Sequence, residues 1–351
     1  MNLTDKINAF AKLGEILRNP DDTKFHSFRN EIGTLNSLVS THQNSNGWFT
    51  PDQLRYAIAA AGKSLQQSKI EKWLHKYPLA AFENKNPHKI GVVMAGNIPM
   101  VGLHDYLSVL ITGNKFLGKL SSGDDQLLPL MHRILEKIEP GFKGRAEFTD
   151  GRLKGFDAII ATGSNNSARY FEYYFGKYPH IIRKNRNGIS VISGNESQEQ
   201  LHELGNDIFR YFGLGCRNVS KIYVPEDFQF ATFFESIESY SPVIDHHKYK
   251  NNYDYNKSIL LVNSVPHYDN GFLLVSESSA YASPVSVLHY EKYQDIDQIN
   301  LDLQNHSQQI QCVVSESKKI SHAIAPGTSQ KPQLWNYADA VDTIEFLSNL
   351  K

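Results

Sequence analysis

The stretch "KIGVVMAGNIPMVGLHDYLSVLITGNKFLGKLSS", residues 89 to 122, decides the fold. It opens as a short apolar run ending in glycine and passes through an Asn-x-Pro turn. It continues as an apolar helix that Gly113 can stop, then closes in a second short strand with a lysine and two serines at its end. A strand, a helix and a strand in that order imply two parallel strands joined by a crossover helix. The pattern then repeats. "DDQLLPLMHRILEKI" places Leu127, Leu130, Ile134 and Ile138 at helical spacing behind an aspartate cap, and the strand "FDAIIATGS" feeds the helix "NNSARYFEYYFG", which Gly176 can end. The expected class is therefore α/β, with a Rossmann-type nucleotide-binding domain of parallel strands between helices.

On the N-terminal side, residues 1 to 80 read as helices joined by polar loops. "GWFTPDQLRYAIAAAGKSL" has Thr50 as N-cap and Pro51 at the first helical position. On the C-terminal side a second α/β domain opens near "HIIRKNRNGISVISG". Its helix "SQEQLHELGNDIFRYFG" is expected to start at a Ser197 cap and stop at Gly213. The strands "VSKIYVP", "KSILLVN", "GFLLVS", "PVSVLHYE" and "IQCVVS" alternate with the helical stretches "FQFATFFESIESY" and "YQDIDQINLDLQ". Between them "HHKYKNNYDYN", residues 246 to 256, reads as a solvated aromatic-rich loop, with the lining of an acyl entrance as the alternative. These divisions give a helical extension plus nucleotide-binding domain over 1–180, a catalytic domain over 181–335 and a C-terminal tail over 336–351.

Composition bounds what such a protein can do. The 351 residues, 40% hydrophobic and 21% charged, are enough for two domains with full cores. With 36 basic and 37 acidic residues the formal net charge is -1, so nothing draws the whole molecule to nucleic acid or an anionic membrane, and a small molecule is the expected partner. Two cysteines make no disulfide framework and no structural-zinc pattern, which suits a reducing compartment. The start "MNLTDKINAFAKLGEIL" lacks the apolar core of a signal peptide, and no apolar run approaches a membrane span; a cytoplasmic location with no bound metal is the expectation.

Four constellations carry chemistry, each with a plainer alternative. In "FGLGCRNVSKIYVP", residues 212 to 225, Cys216 sits between a glycine-bracketed turn and a strand, with Arg217 adding positive charge. That setting suits a reachable thiolate nucleophile, or a small residue filling a bend. Cys312, inside the run "IQCVVS", reads as the buried, inert kind. Asn97, in "MAGNIPM", can hold a carbonyl oxygen that gains negative charge, or cap the next helix. Lys119, Ser121 and Ser122 fall where a doubly wound sheet offers its carboxyl edge to a nucleotide, and suit a ribose or a 2′-phosphate; an exposed strand-end lysine is the alternative. Gly163 and Ser164, in "ATGSNNSA", form a strand-to-helix turn whose free amides suit a phosphate, though Ser164 also serves as an N-cap.

Taken in order, "AGNIPM", "GNKFLGKLSS", "ATGS" and "GLGC" resemble the patterns of the aldehyde dehydrogenase superfamily: an Asn-x-Pro turn, Gly-Asn followed five residues later by Lys, a Phe-Thr-Gly-Ser turn and Gly-Gln-x-Cys. Within it, "GNIPMVGLHDYLSVLITGN", "KLSSGDDQLLP", "GLGCRNVSKIYVP" and "NNYDYNKSILLVN" look most like the LuxC-type acyl-CoA reductases, the fatty-acid reductases of bacterial luminescence. The match spans about residues 45 to 345. The resemblance implies an aldehyde-dehydrogenase-like fold with Cys216 as nucleophile and Asn97, with the Cys216 amide, as oxyanion site. It puts Lys119, Ser121 and Ser122 at the adenosine ribose, and Gly163 and Ser164 at the pyrophosphate turn. NAD-preferring members often carry a glutamate where Ser122 stands; its absence removes a charge that would repel a 2′-phosphate, so NADPH is the expected cofactor and NADH the alternative.

Departures from the pattern sharpen the expected reaction. Hydrolytic members need a glutamate between the Gly-Ser turn and the cysteine to activate water, and residues 179 to 194, "PHIIRKNRNGISVISG", contain no Asp or Glu. A thioester at Cys216 should then persist long enough to be reduced. The acid that in many members holds the nicotinamide ribose is missing from "AYASP", residues 280 to 284, with Glu277 close by but out of register. The expected activity is reduction of an acyl-CoA or other acyl thioester to a fatty aldehyde. The partners implied are that substrate, an acyl-activating protein and, as a compatible state, a homo-oligomer. The rivals are an aldehyde or semialdehyde dehydrogenase working oxidatively and a non-redox acyl-carrying or thioesterase subunit.

Overall fold

The computed structural model describes residues 1–83 and 86–350, and the chain divides into two compact units: residues 1–184 with 333–351, and residues 185–332. The first unit begins with four helices, α1 Leu3–Arg18, α2 Arg29–Thr41, α3 Pro51–Ser64 and α4 Gln67–Leu74. A capping box between Asn2 and Asp5 starts α1, whose buried stripe holds Phe10, Leu13 and Leu17. Thr50 and Pro51 start α3 as expected. The two helices cross closely at Gly14, where a Cβ would lie 2.5 Å from that of Leu65, so only glycine admits the contact.

The strand and helix alternation follows: β1 Lys89–Val93, α5 Leu103–Ile111, β2 Lys115–Lys119, α6 Leu127–Ile138, β3 Ala146–Thr149, β4 Ala158–Thr162, α7 Asn165–Phe175 and β5 His180–Arg183. The strands form one parallel sheet in the order β3-β2-β1-β4-β5. Helix α5 packs on β1 and β2, and α7 on β4 and β5. Strand β3, with Glu147 exposed and no long apolar run, is not among those read from the sequence.

The second unit contains β6 Asn187–Val191, α8 Gln198–Phe209, β7 Val219–Pro225, α9 Phe230–Ile237, α10 His247–Val262, β8 His267–Asp269, β9 Leu274–Glu277, β10 Val287–Tyr293, α11 Ile296–Asn305 and β11 Ile310–Val314. Its sheet runs β11-β6-β7-β10-β9-β8, parallel except where β8 meets β9. The chain then returns to the first unit, where α12 Thr343–Ser348 packs on α5. Arg183 fastens this return: it forks onto Asp105 at 2.6 and 2.8 Å and reaches Thr343 at 3.2 Å, all three side chains buried. Residues 333–351 thus belong to the first unit, where the sequence reading separates a tail at 336.

Three expectations are corrected. "HHKYKNNYDYN" is not a solvated loop and "KSILLVN" is not a strand; both lie in α10. Tyr249, Tyr253 and Asn256 recur at helical spacing and are buried, while Ile259, Leu261 and Val262 of the aliphatic run are 40, 60 and 84% exposed. The aromatic stripe, not the aliphatic cluster, faces the core and sets the period. Helix α8 also ends earlier than Gly213, at Phe209. Among the described residues, no helix is long and apolar enough to cross a membrane.

Candidate active site

In the first unit β1 is central, the chain moves outward through β2 and β3, and it then crosses to β4 on the other side of β1. The switch point thus falls between β1 and β4, where open parallel sheets bind ligands outside the carboxyl ends of their strands. Asn97 follows β1, Lys119 ends β2, Ser121 and Ser122 follow it, and Gly163 and Ser164 follow β4. The structure brings these six to one sheet edge; Cys216 belongs to the second unit.

The turn carrying Asn97 is built against the turn after β2. A Cβ on Gly96 would stand 2.2 Å from Ser121 Oγ, so glycine lets the two turns touch. Met100 takes a positive φ of 60° and its amide donates to Asp124 at 2.7 Å, while Gly123 donates to Ser121 Oγ at 3.2 Å. From the helical extension, Asn46 Nδ2 donates to the carbonyls of Gly96 (3.4 Å) and Gly123 (3.1 Å), and His42 Nε2 lies 3.3 Å from the latter. Burial pushes the Asp124 carboxyl above its ordinary pKa, against the pull of the Met100 and Leu127 amides. Asn97 itself is exposed and does not cap α5, whose cap position is Gly102.

Lys119 Nζ donates to the carbonyls of Asp150 (2.8 Å) and Gly151 (3.1 Å), which leaves one of its three donors. Ser122 is exposed. Ser164 is the N-cap of α7, its Oγ accepting from the Ser167 amide at 3.2 Å. An eleven-residue helix whose N-terminus lies at the switch point, beside a strand-end lysine and exposed hydroxyls, fits the pyrophosphate and ribose of a dinucleotide. Among the described residues no cluster of His, Cys, Asp and Glu could hold a metal.

In the second unit Cys216 is exposed, in a tight turn from Gly215 to Asn218. Asn218 anchors this turn: Oδ1 accepts from the Gly215 amide (2.8 Å), and Nδ2 donates to the carbonyls of Asp207 (2.9 Å) and Arg210 (2.8 Å) at the end of α8. Ahead of the turn, Tyr211, Phe212 and Gly213 are left-handed, with φ of 53, 58 and 77°. Two bulky residues in that region are strained and must be held by their surroundings. Both are buried, with Phe212 4.2 Å from the ring of His246. Arg217 Nε donates to Ser329 O at 2.5 Å, and Asp207 accepts the amides of Gly327 (2.7 Å) and Ser329 (2.9 Å). Cys312 is half-buried, its thiol 3.8 Å from Arg217 O, and burial pushes it up to about 11, as an inert thiol requires.

The loop 278–286, which contains "AYASP", is fastened from β7 and β10. Ser220 Oγ donates to Tyr281 O (2.7 Å), and Lys221 Nζ donates to Ser279 O (2.9 Å) and pairs with Glu291 (2.6 Å). His289 Nδ1 lies 3.1 Å from Ala280 O. Lys221 is 1% exposed and sits over the rings of Tyr223 and Tyr281, 4.5 and 4.7 Å from their centroids. Sequence reasoning misses Asn46, His42, Asn218 and Lys221. Only the last two left a trace: an asparagine two residues past the cysteine, and a lysine on the apolar side of "VSKIYVP".

Against known proteins, no family profile and no curated protein matches this sequence. Solved structures do. Aldehyde dehydrogenase 21 from Physcomitrella patens, in complex with its product succinate, superimposes with a TM-score of 0.67 at 14% identity, over 98% of this chain and 79% of its own. An NAD-dependent benzaldehyde dehydrogenase from Corynebacterium glutamicum gives 0.63 at 13%, over 92% and 78%. An NADP-dependent glyceraldehyde-3-phosphate dehydrogenase from Bacillus halodurans C-125, complexed with NADP, gives 0.59 at 11%, over 91% and 74%. The chain has the aldehyde-dehydrogenase-like α/β fold that its motifs imply.

Proposed function

We propose that this protein is an oxidoreductase that reduces an acyl thioester, acyl-CoA or another, to an aldehyde through an acyl-cysteine at Cys216, in the manner of the LuxC-type reductases. The observation that carries the reading is the stretch 179–194: it lacks any carboxylate, in a chain of aldehyde-dehydrogenase-like fold whose one exposed cysteine is held on a firmly anchored turn. In this reading the Cys216 thiolate attacks the thioester carbonyl, and the oxyanion is shared by the Cys216 amide and the Asn97 side chain. The carbonyl reforms as the CoA thiolate leaves and takes up a proton. With no carboxylate to activate water, the acyl group stays on sulfur. Lys119, Ser121 and Ser122 would hold the adenosine ribose of NADPH or NADH, and Gly163 with Ser164 its pyrophosphate. The cofactor, when bound, would supply the hydride that converts the acyl group to aldehyde, the carbon–sulfur bond breaking to return the Cys216 thiolate. Ser122 brings no negative charge against a 2′-phosphate, which favours NADPH.

Intact-mass analysis after incubation with acyl-CoA and no cofactor tests this. One acyl adduct per chain is expected, absent in Cys216→Ala and discharged on adding NADPH. An adduct that survives in Cys216→Ala overturns the assignment. The dehydrogenase neighbours favour one alternative, oxidation of an aldehyde to acid. Free acid formed from aldehyde and NAD(P)+ without CoA would establish it in place of the reductase.

A further inference from the structure

At the amino edge of the first unit's sheet, away from the strand ends that carry Asn97 and Ser164, lies a cavity of about 380 Å3. Residues just ahead of β2 (Gly113, Asn114) and β3 (Arg145) line it, as do the start of α1 and the Phe82–Glu83 turn. Two cations share it. Lys6 is only 3% exposed, and its ammonium donates to the carbonyls of Phe82 (3.0 Å) and Ile111 (2.8 Å), leaving one of its three donors. Arg145 is half-buried, and among the described residues its guanidinium has neither a hydrogen bond nor an ion pair. Among the described residues no carboxylate comes within ion-pair distance of Lys6 either, although Glu83 stands exposed at the same cavity.

This arrangement costs the fold something. Burial and the neighbouring guanidinium lower the Lys6 pKa from 10.5 to about 8, so both weigh against the charged form that the two carbonyls solvate. Buried charges are ordinarily paired, and two like charges facing one cavity, neither in an ion pair among the described residues, leave room for an anion between them. Leu3, Phe82, Leu110 and Phe142 supply an apolar side of the wall, and Asn2, Glu83 and Asn114 add polar groups to it. The volume is that of a small-molecule pocket, and its mixed lining offers charge to one end of a ligand and hydrocarbon to the other.

We infer that this cavity is a binding site for a small amphipathic carboxylate, its head between Lys6 and Arg145 and its chain against Phe82, Leu110 and Phe142. The inference does not depend on the reading of Cys216. Octanoate is the probe, titrated into the full chain by calorimetry and followed by methyl NMR, with shifts expected at Leu3 and Leu110. Arg145→Gln, at a half-buried position, should weaken binding by about tenfold or more, as loss of a charge-assisted pair does. Glu83→Gln should strengthen it, and octanol, with the same chain and no charge, should bind far more weakly. Octyl phosphate binding in place of octanoate would reassign the site to phosphate esters and overturn the carboxylate. The inference also fails if octanoate leaves the Leu3 and Leu110 methyls unmoved, or if Arg145→Gln binds it as tightly as the parent chain.

Discussion

Asn218 fastens the Cys216 turn with bonds that reach no more than 11 residues back along the chain, whereas Asn46 fastens the Asn97 turn from 50 residues away and its neighbour at Gly123 from 77. The Asn218 bonds of the first turn are made once α8 and β7 have formed. The second needs the helical extension docked on the sheet before its geometry is set. The hydrogen bonds of Asn218 that close the thiol's turn are local, with Arg217 adding one distant tie to Ser329, while the carboxyl edge of the first sheet depends on α2 and the turn that follows it. Damage should therefore spread differently: at Asn218 it falls on the stability of the unit, and at Asn46 on the positions of Asn97 and Ser121.

The largest effect is expected at the local anchor. Asn218 is 3% exposed, and Asn218→Ala leaves the Gly215 amide and the α8 carbonyls without their partner in a site closed to water. Such orphaned groups cost about 1–3 kcal/mol each when burial persists, so a loss of about 2–4 kcal/mol in unfolding free energy is expected by denaturant titration. A loss below about 0.5 kcal/mol, the level of an ordinary surface change, would mean that the turn is held by something else, and the contrast with Asn46 would collapse.

Gly96→Ala comes next. The new Cβ would meet Ser121 Cβ at 2.7 Å and Oγ at 2.2 Å, and only the hydroxyl can swing aside, so the two turns must part at a cost of about 1–3 kcal/mol. Adding Ser121→Gly removes both clashing atoms, and the double variant should regain most of the loss. If it regains none, the contact between the turns is not what holds them. Asn46→Ala, which removes two hydrogen bonds to carbonyls and the one that Oδ1 accepts from the Trp48 amide (3.1 Å), should cost about 1 kcal/mol. Its signature is functional: a slower acylation of Cys216 by acyl-CoA at nearly unchanged stability, if Asn97 serves the oxyanion as proposed.

The same contrast explains what could be read in the sequence. The turns after β1, β2 and β4 were legible because glycine, proline, serine and asparagine punctuate them within a few residues, and "GNIPM" and "ATGS" mark both the strand end and the helix start. Ser164 and Ser197 cap their helices as their spacing implies. Asn46 was not legible, since nothing near it in "THQNSNGWF" shows that its amide is meant for Gly96 and Gly123. Helix α10 misleads for a different reason. Three of the four residues of its apolar signal "ILLV" point outward, Leu260 alone packing on the core, while the rest of the packing face is a tyrosine stripe interleaved with lysines and asparagines, which composition reads as polar. Lys221 escapes because a buried lysine is improbable until its cage of Tyr223, Tyr281 and the Ser279 carbonyl is seen.

The smallest effect tests what would hold the proposed dinucleotide at the switch point. Ser164 has two candidate duties, capping α7 and meeting a phosphate, and its hydroxyl is already committed to the Ser167 amide at 3.2 Å. Replacing a serine cap by alanine costs about 0.5–2 kcal/mol, but by glycine only a few tenths, because glycine still tolerates the cap geometry and leaves the amides open to solvent or ligand. In Ser164→Gly the backbone N–H groups at the start of α7 remain while the hydroxyl is gone. If those amides and the helix dipole do the holding, NADPH affinity should change by less than about threefold, and stability by a few tenths of a kcal/mol. A loss of tenfold or more in NADPH affinity, about 1.4 kcal/mol, would show that the hydroxyl itself touches the ligand and that its bond to Ser167 gives way on binding.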